Sequence, residues 1–397
     1  MADAMRKNMS LILAAALAAG ALGCNSIHEA FAAAKRPAQR ANLRFITPEL
    51  AAGLRPRSPL LSPAQEFFRS PEGVWGEGRR MGPLWTYDLP DGVGLDGMAM
   101  LSLSRMAVLE TPAASNQPQV LRLLDAEGHT VSSHSLSGFF TSLNAGFLGG
   151  QKVLLAKSGD SYWIMDADGR PVWKAEVAAD QALLADLVGD GRGELVISTG
   201  ARSAVAALAA DGSRLWAVAG FGEVYGLAAA PRAVAVFCSS GVVILDGGGR
   251  EIMRFQDDTM PERGVFLTPQ DSALLLAHAG SNLGTSRERL RISRIEGSVR
   301  IVQAEAEIGP TRVTAMIAPD LNGDGRKDIA FGTENGWTFL YDEHAQLWGE
   351  KRHFAPIPYL ASGDINGDGW EELMTGMRGN ASRVYAYGAI AQPAPLP

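Results

Sequence analysis

Residues 163–173 read WIMDADGRPVW, in which two segments typical of short strands flank a turn that contains Asp and Gly. The pattern recurs, clearly or weakly, as ALAADGSRLWAV (207–218), VILDGGGREIM (243–253), LRLLDAEGHTV (121–131), FLYDEHAQLW (339–348) and ISRIEGSVRIV (292–302). One acidic turn residue marks each copy, and these markers are Asp125, Asp166, Asp211, Asp246, Glu296 and Asp342. A period of about 40 to 45 residues with several short strands per unit is typical of β-propeller blades.

The segments between these turns favour strands over helices. Apolar residues run together at 153–156, 195–198, 234–238 and 273–277, without the 3.6-residue spacing of a helical repeat. Seven units can be counted, at about 95–138, 139–178, 180–219, 221–257, 262–305, 311–352 and 356–392. The sequence therefore predicts an all-β fold, a seven-bladed β-propeller of four-stranded antiparallel blades.

The last unit ends at RVYAYGAI (383–390) and lacks an outer strand that carries Trp. GPLWTYDLP (82–90), upstream of the first unit, resembles the missing strand, because its Leu-Trp pair matches those at 215–216 and 347–348. An open ring would leave an unpaired sheet edge and an uncovered blade face. We therefore expect an N-terminal strand to complete the last blade and close the ring.

The N-terminal residues predict a secretion signal followed by a tether. Arg6 and Lys7 precede the apolar run LILAAALAAGALG (11–23), which is too short to span a bilayer and is typical of a secretory signal. The segment ALGC (21–24) resembles the lipobox of bacterial lipoproteins, which implies cleavage before Cys24, lipidation of its thiol and, with Asn25 next, outer-membrane placement. An ordinary signal peptide that contains Cys is the alternative. The predicted domains are a signal peptide (1–23), a Pro-rich tether (24–80) and the propeller (81–397), with Phe67, Phe68 and Trp75 as residues that would pin the tether's end.

Composition excludes several classes of protein. Lys and Arg number 36 against 43 Asp and Glu, a formal net charge of −7, which argues against a nucleic-acid binder. Two cysteines provide no disulfide framework, and Cys238 is expected to be a buried apolar residue. The six histidines form no HxH or HExxH group and are expected in turns or on the surface. No G-x-S-x-G or Walker sequence is present, so no catalytic residue is predicted.

Two acidic loops carry the most specific chemistry. DLNGDGRKD (320–328) fits the pattern D-x-N-x-D-G-x-x-D, and DINGDGWEE (364–372) fits it with a terminal Glu. Calcium is a hard cation that takes six to eight oxygen ligands, which side chains at positions 1, 3, 5 and 9 and a carbonyl at position 7 can supply. An EF-hand loop would need an acid at position 12, where Phe331 and Thr375 stand, and strand-like residues follow both loops. The sequence predicts strand–loop–strand calcium sites.

These two segments resemble the FG-GAP, or VCBS-type, repeats of integrin α-subunit propellers and bacterial envelope proteins. The resemblance implies a structural calcium ion in a loop between the first and second strands of a blade. The implied ligands are Asp320, Asn322, Asp324, the Arg326 carbonyl and Asp328, and then Asp364, Asn366, Asp368, the Trp370 carbonyl and Glu372. A third copy, DLVGDGRGE (186–194), has Val188 at a ligand position and leaves the weaker set Asp186, Asp190, the Arg192 carbonyl and Glu194. The other blades are similar to quinoprotein-like repeats with a D-x-x-G-x-x-x-W turn.

These features predict a lipid-anchored, calcium-stabilised propeller that acts as a non-catalytic binding or scaffold module at the bacterial cell envelope. The expected partner is an envelope protein or a glycan, with no nucleic acid, and the protein is expected to be a monomer or a complex subunit. Arg287 and Arg289, at the end of a long connection between second and third strands, are candidate contacts for an anionic partner. The alternatives are an assembly factor similar to the propeller lipoprotein of outer-membrane barrel insertion, and an envelope polysaccharide lyase or quinoprotein-type enzyme.

Overall fold

The computed structural model describes residues 68, 79–114, 117–175, 179–199, 203–267, 273–282, 287–379 and 381–391. All of these residues belong to the compact unit Ser62–Pro397. They form strands β1 to β28 in seven four-stranded antiparallel sheets, with no helix in these ranges. The predicted signal peptide, Cys24 and most of the predicted tether lie outside the described residues, so their assignment stays a prediction.

Each blade is a sheet of four hydrogen-bonded strands. In blades 1 to 6 the four strands follow one another in the chain, and in blade 7 the last three strands of the chain are joined by the first. Blades 1 to 4 consist of β2 (Gly94–Ser102), β3 (Arg105–Thr111), β4 (Gln119–Leu124) and β5 (Thr130–Leu136); β6 (Ser142–Leu148), β7 (Gln151–Ser158), β8 (Ser161–Met165) and β9 (Pro171–Ala175); β10 (Ala179–Ala185), β11 (Glu194–Thr199), β12 (Ala204–Leu208) and β13 (Arg214–Ala219); and β14 (Val224–Ala230), β15 (Ala233–Cys238), β16 (Gly241–Asp246) and β17 (Glu251–Phe255). Blades 5 to 7 consist of β18 (Thr259–Leu267), β19 (Leu274–Asn282), β20 (Glu288–Glu296) and β21 (Val299–Gly309); β22 (Val313–Ile317), β23 (Ile329–Thr333), β24 (Trp337–Tyr341) and β25 (Leu347–Arg352); and β26 (Tyr359–Gly363), β27 (Glu372–Met377), β28 (Arg383–Ala391) and β1 (Arg79–Asp88).

The blades are arranged as a closed ring. The first strand of each blade contacts the first strand of the next, and β26 of blade 7 contacts β2 of blade 1. Apolar clusters fill the space between neighbouring blades; one of them joins Leu155 and Ile164 of blade 2 to Leu195 and Ile197 of blade 3. The predicted seven-bladed β-propeller is confirmed, and burial of every residue of β15 explains the apolar run found there.

The ring is closed by the N-terminal strand, as the sequence predicted. β1 pairs antiparallel with β28, from Arg79 opposite Ala391 to Asp88 opposite Arg383. Phe68, which the sequence suggested would pin the tether's end, packs edge-on against Tyr387 of β28 with ring centroids 5.1 Å apart. The blade 7 sheet therefore joins the two ends of the described chain.

Tryptophans on the outer strands of blades 7 and 3 connect these blades to a turn of the next blade. Trp85 Nε1 donates to the Ala126 carbonyl at 2.7 Å. The Trp85 ring packs against Gly128, where an added Cβ would be only 2.8 Å from the ring atoms. Trp216 donates in the same way to the Gly247 carbonyl at 2.8 Å. Because both contacts cross a blade boundary, Trp85 and Trp216 serve packing between blades.

The acidic turn residues that mark the repeat hold the turns between third and fourth strands. The carboxylate of Asp166 accepts the amides of Asp168 and Arg170 at 2.9 and 2.8 Å, and Asp125, Asp246 and Asp342 make equivalent contacts. In blade 3 the backbone turn begins two residues earlier, at Ala209, so Asp211 caps only Ser213. This displacement explains part of the irregular spacing of the markers.

Candidate functional site

Three nine-residue loops connect the first and second strands of their blades. They run over 320–328 between β22 and β23, over 364–372 between β26 and the start of β27, and over 186–194 between β10 and the start of β11. The loops of blades 6 and 7 are called the intact loops here, and the loop of blade 3 is called the variant loop. Because they follow equivalent strands, all three lie on the same face of the ring.

One backbone arrangement is common to the three loops. The amide at position 2 donates to the carboxylate at position 9, from Leu321 to Asp328 at 3.2 Å, from Ile365 to Glu372 at 2.8 Å and from Leu187 to Glu194 at 2.7 Å. The glycines at positions 4 and 6 have φ between +69° and +90°, a region that other residues rarely adopt. The buried apolar residue at position 2 and these glycines fold each loop back over its own strand ends.

The first aspartate of each intact loop faces inward. Asp320 accepts the Gly325 amide at 3.0 Å through Oδ2, while its Oδ1 is buried and has no hydrogen-bond partner. Asp364 accepts the amides of Gly367 and Asp368 at 2.8 and 3.0 Å through Oδ1. A buried carboxylate oxygen without a donor is costly unless a cation coordinates it. The Asp320 Oδ1 atom is thus an available oxygen ligand.

The acids at position 9 are buried among other carboxylates. Asp328 is 3% exposed, and its pKa is raised to about 8, chiefly by burial and also by the charges of Asp324 and Asp320. The pKa of Glu372 is raised to about 7, again chiefly by burial and also by Asp368 and Asp364. Clustered buried oxygens that resist ionisation are the donor set that a hard divalent cation stabilises. The residues of both intact loops therefore fit calcium.

The two intact loops are joined to each other by Glu371. Its amide donates to the Asp320 carbonyl at 3.1 Å, and its carboxylate accepts the Asp320 amide at 3.1 Å and Lys327 Nζ at 2.6 Å. The indole of Trp370 lies over Gly323, where an added Cβ would be 2.6 Å from Nε1. Glu371 and Lys327 were not predicted from the sequence, since position 8 of a loop is not a ligand position.

The variant loop is held by protein groups. Val188 occupies position 3 and is 56% exposed, so one side-chain oxygen is absent. Arg192 Nε lies 3.9 Å from the Asp190 carboxylate, and the Arg192 carbonyl accepts the Gly150 amide of blade 2 at 2.6 Å. The Asp186 carbonyl accepts the Arg232 amide of blade 4 at 3.0 Å. The carbonyl that the family resemblance implied as a ligand is thus already engaged.

In the intact loop of blade 6 the equivalent arginine points elsewhere. Arg326 Nη1 lies 2.6 Å from Glu343, a residue of the turn between β24 and β25. The Asp324 carboxylate accepts the Asn322 side-chain amide and the Arg326 backbone amide, at 3.2 and 2.8 Å. The arginine at position 7 therefore lies near an acid of its own loop in blade 3 and pairs with an acid of a neighbouring turn in blade 6.

Another acidic group lies outside the nine-residue loops. Among the residues that the structure describes, Asp125, Glu127 and His129 are the one trio of acidic, His or Cys side chains whose ligand atoms all lie within 4.8 Å of one another. Asp125 Oδ1 already accepts the amides of Glu127 and His129, at 3.1 and 2.7 Å. This trio is explained by turn formation, and the carboxylates of the nine-residue loops form no comparable trio.

The remaining predicted residues have protein partners. Arg287 is paired with Glu307, and Arg289 Nη1 lies 3.0 Å from Asp258 and 3.2 Å from Glu305, so their role in partner binding stays a prediction. Cys238 is buried, as expected. The expectation of surface or turn histidines is wrong for His278 and His353, both of which are buried between strands.

No helix long and apolar enough to cross a membrane occurs in the described ranges.

No protein-family model matches the sequence, and no curated protein matches it. Two solved structures of BBS1N in complex with ARL6DN, one soaked with lead and one with mercury, are similar to the chain at 13% identity, with TM-scores of 0.55 and 0.56. They cover 83% of this chain and 93% and 98% of theirs. BamB from Moraxella catarrhalis is 14% identical, with a TM-score of 0.47 over 78% of this chain and 99% of its own. The BBS1N similarity shows a shared propeller fold.

Proposed function

We propose that this protein is a lipid-anchored, calcium-stabilised β-propeller that serves as a non-catalytic binding or scaffold module at the bacterial cell envelope. The observation that carries the proposal is the closed seven-bladed ring whose adjacent blades 6 and 7 present linked, oxygen-rich loops at equivalent positions. We also propose that these loops are of the FG-GAP or VCBS type, because they lie between first and second strands.

Calcium would be held by the side chains and the position 7 carbonyls of the two intact loops. Bound there, the ion supplies positive charge that stabilises the ionised forms of Asp328 and Glu372. The protein's own residues fix the loop: the position 2 amide orients the position 9 carboxylate, and Glu371 fixes one loop against the other. The role is structural, since the loop joins two adjacent strands of one blade.

Calcium binding is tested on protein stripped with EGTA, by calorimetric titration and thermal melting, with magnesium as the control ion. We expect two calcium ions per chain and a Tm that rises with calcium concentration, because the ion binds the folded state. Magnesium should be much weaker, since it prefers smaller octahedral sites. Absence of both binding and a Tm shift would contradict the calcium part of the proposal.

Lipid anchoring is tested by metabolic labelling with a palmitate analogue and fractionation of cells. Cys24→Ala should lose the label and leave the membrane fraction, whereas Cys238→Ala should keep both properties. An unlabelled wild-type protein would support the alternative of an ordinary signal peptide.

The binding role is supported by the fold, which BBS1N shares and which was crystallised there in complex with ARL6DN. Cross-linking in whole envelopes, followed by mass spectrometry, identifies partners, and the Cys24→Ala protein controls for membrane carry-over. Recovery of a specific envelope protein supports the scaffold, and recovery of barrel-assembly components specifies the assembly-factor alternative. If no protein is recovered, glycan arrays are the next test. A bound glycan that stays intact supports glycan binding, and cleavage of a bound polysaccharide supports the enzyme alternative.

A further inference from the structure

Arg263 lies on the inner strand of blade 5, next to an irregularity in that strand. Pro261 pairs with Gly280 and Arg263 pairs with Ala279, so Glu262 is an extra residue in β18. Bulges of this kind redirect side chains and are frequent beside binding sites. The position of Arg263 is therefore set by the backbone of β18.

The Arg263 side chain reaches three consecutive inner strands. Nε donates to the Thr314 carbonyl of β22 at 3.4 Å, and Nη1 donates to the carbonyls of Tyr225 in β14 and Glu262 in β18 at 3.4 and 3.1 Å. Because β14, β18 and β22 are the first strands of blades 4, 5 and 6, a group that touches all three lies on the axial side of the ring. These hydrogen bonds are mostly long, and they go to neutral acceptors.

Arg263 is the exception among the charged residues of the seven inner strands. The other three are carboxylates, each with a basic partner: Asp96 with Arg378 at 3.0 Å, Asp180 with Lys157 at 3.9 Å and Glu262 with Arg312 at 2.6 Å. Within the described part of the chain, the Arg263 guanidinium has no carboxylate at ion-pair distance. The inner wall of the ring thus presents one cation that the protein does not neutralise directly.

The neighbouring acid is not available to Arg263. Glu262 Oε2 accepts both Nε and Nη2 of Arg312, at 2.9 and 2.6 Å, which directs its charge away. Burial lowers the pKa of Arg263 below its usual value, opposed by the charge of Glu262. A guanidinium carries five N–H donors in a planar fork that matches two oxygens of one anion, and no described acceptor takes those of Nη2.

We propose that the axial side of blades 4 to 6 is an oxyanion site in which the Arg263 guanidinium binds a carboxylate or a tetrahedral anion such as a phosphate or sulfate group. The anion supplies the negative charge that the three neutral carbonyls do not provide. It also presents two oxygens of one group to the guanidinium fork, which separate carbonyls cannot do. The site is independent of calcium, because it uses no residue of the acidic loops.

The probes are acetate and inorganic sulfate, titrated at constant ionic strength against chloride. In ¹⁵N-labelled protein, the Arg263 Nε–Hε resonance, assigned by its loss in Arg263→Lys, should shift saturably below about 100 mM of the bound anion, the range of a weak single-anion site. The Tm should rise with that anion in the wild type and not in Arg263→Gln. Arg250→Gln, which removes an exposed turn arginine, should leave both responses unchanged.

Each outcome has a defined meaning. Saturation by sulfate alone identifies a tetrahedral anion, and saturation by acetate alone identifies a carboxylate. A wild-type resonance that does not shift with either probe overturns the proposal, as does an equal Tm rise in Arg263→Gln. If Arg263→Gln does not fold, Arg263→Lys decides: it keeps the charge without the fork, so we expect at most half of the wild-type Tm rise, and an equal rise overturns the proposal.

Discussion

The intact loops of blades 6 and 7 and the variant loop of blade 3 fold the same nine-residue backbone around acidic side chains, but the protein contacts of these loops differ. In the intact loop of blade 6, Asp320 Oδ1 has no protein partner, and the arginine at position 7 pairs with Glu343 outside the loop. In the variant loop, Arg192 Nε lies 3.9 Å from the Asp190 carboxylate, and the Arg192 carbonyl at position 7 accepts the Gly150 amide of blade 2. The loop shape thus persists although its contacts with the rest of the chain differ.

The largest expected effect comes from deleting β1, residues 79–88. Leu84 of β1 and the Glu372 side chain both lie against Gly388 of β28, so the deletion removes the support beneath the intact loop of blade 7 and opens the ring. We expect a Tm loss of about 10 °C or more, equivalent to several kcal/mol, and a weaker calcium response. Thermal melts with and without calcium check this, and an unchanged Tm would show that β1 does not close the ring.

Charge removal at position 1 should separate the two kinds of loop. Asp320→Asn removes the charge of the carboxylate that carries the unpaired oxygen, so calorimetry should detect one calcium ion per chain instead of two, or a second site weakened by about tenfold or more. Asp186→Asn is the matched control at position 1 of the variant loop and should leave calcium binding unchanged. Equal losses in both variants would contradict the distinction between the loops.

The variant loop should gain calcium when its missing oxygen is restored. Val188→Asn places an amide oxygen at position 3, and Val188 is exposed, so little packing is lost. We expect a third ion bound at least about tenfold more weakly than the other two, because Arg192 and the engaged carbonyl still oppose it. Adding Arg192→Gln should tighten that site; unchanged stoichiometry in the double variant would show that the hydrogen bond from Gly150 dominates.

The smallest expected effect is on pH dependence. Raised pKa values of Asp328 and Glu372, about 8 and 7, mean that the metal-free folded state holds protons that the unfolded chain has released. Their contribution to stability is therefore present at low pH and is lost as pH rises through 7 and 8. Between pH 6 and 8.5 the Tm of calcium-free protein should fall relative to that of calcium-loaded protein. Asp328→Asn should reduce this difference, and identical profiles would contradict it.

The blade count, the closing strand and the position of the loops could be predicted from the sequence because each depends on a local pattern repeated at a fixed period. The link through Glu371 and Lys327 could not, since it joins residues 44 positions apart in different blades. The engaged Arg192 carbonyl was equally hidden, because a backbone acceptor leaves no trace in residue type. Burial of His278 escaped prediction for a similar reason: its neighbours Phe237 and Phe255 come from the preceding blade.

The pairing of β1 with β28 also determines the order in which the blades can be completed during folding. Its partners, such as Asp88 and Arg383, are about 300 residues apart, so no local turn brings them together and the loop-closure entropy is large. At a synthesis rate of about 5 to 20 residues per second, β1 emerges roughly 15 to 60 s before its partner exists. The β1–β28 pairing in blade 7 is therefore the last to form. Until it forms, β1 is an unpaired strand that chaperones and proteases can reach.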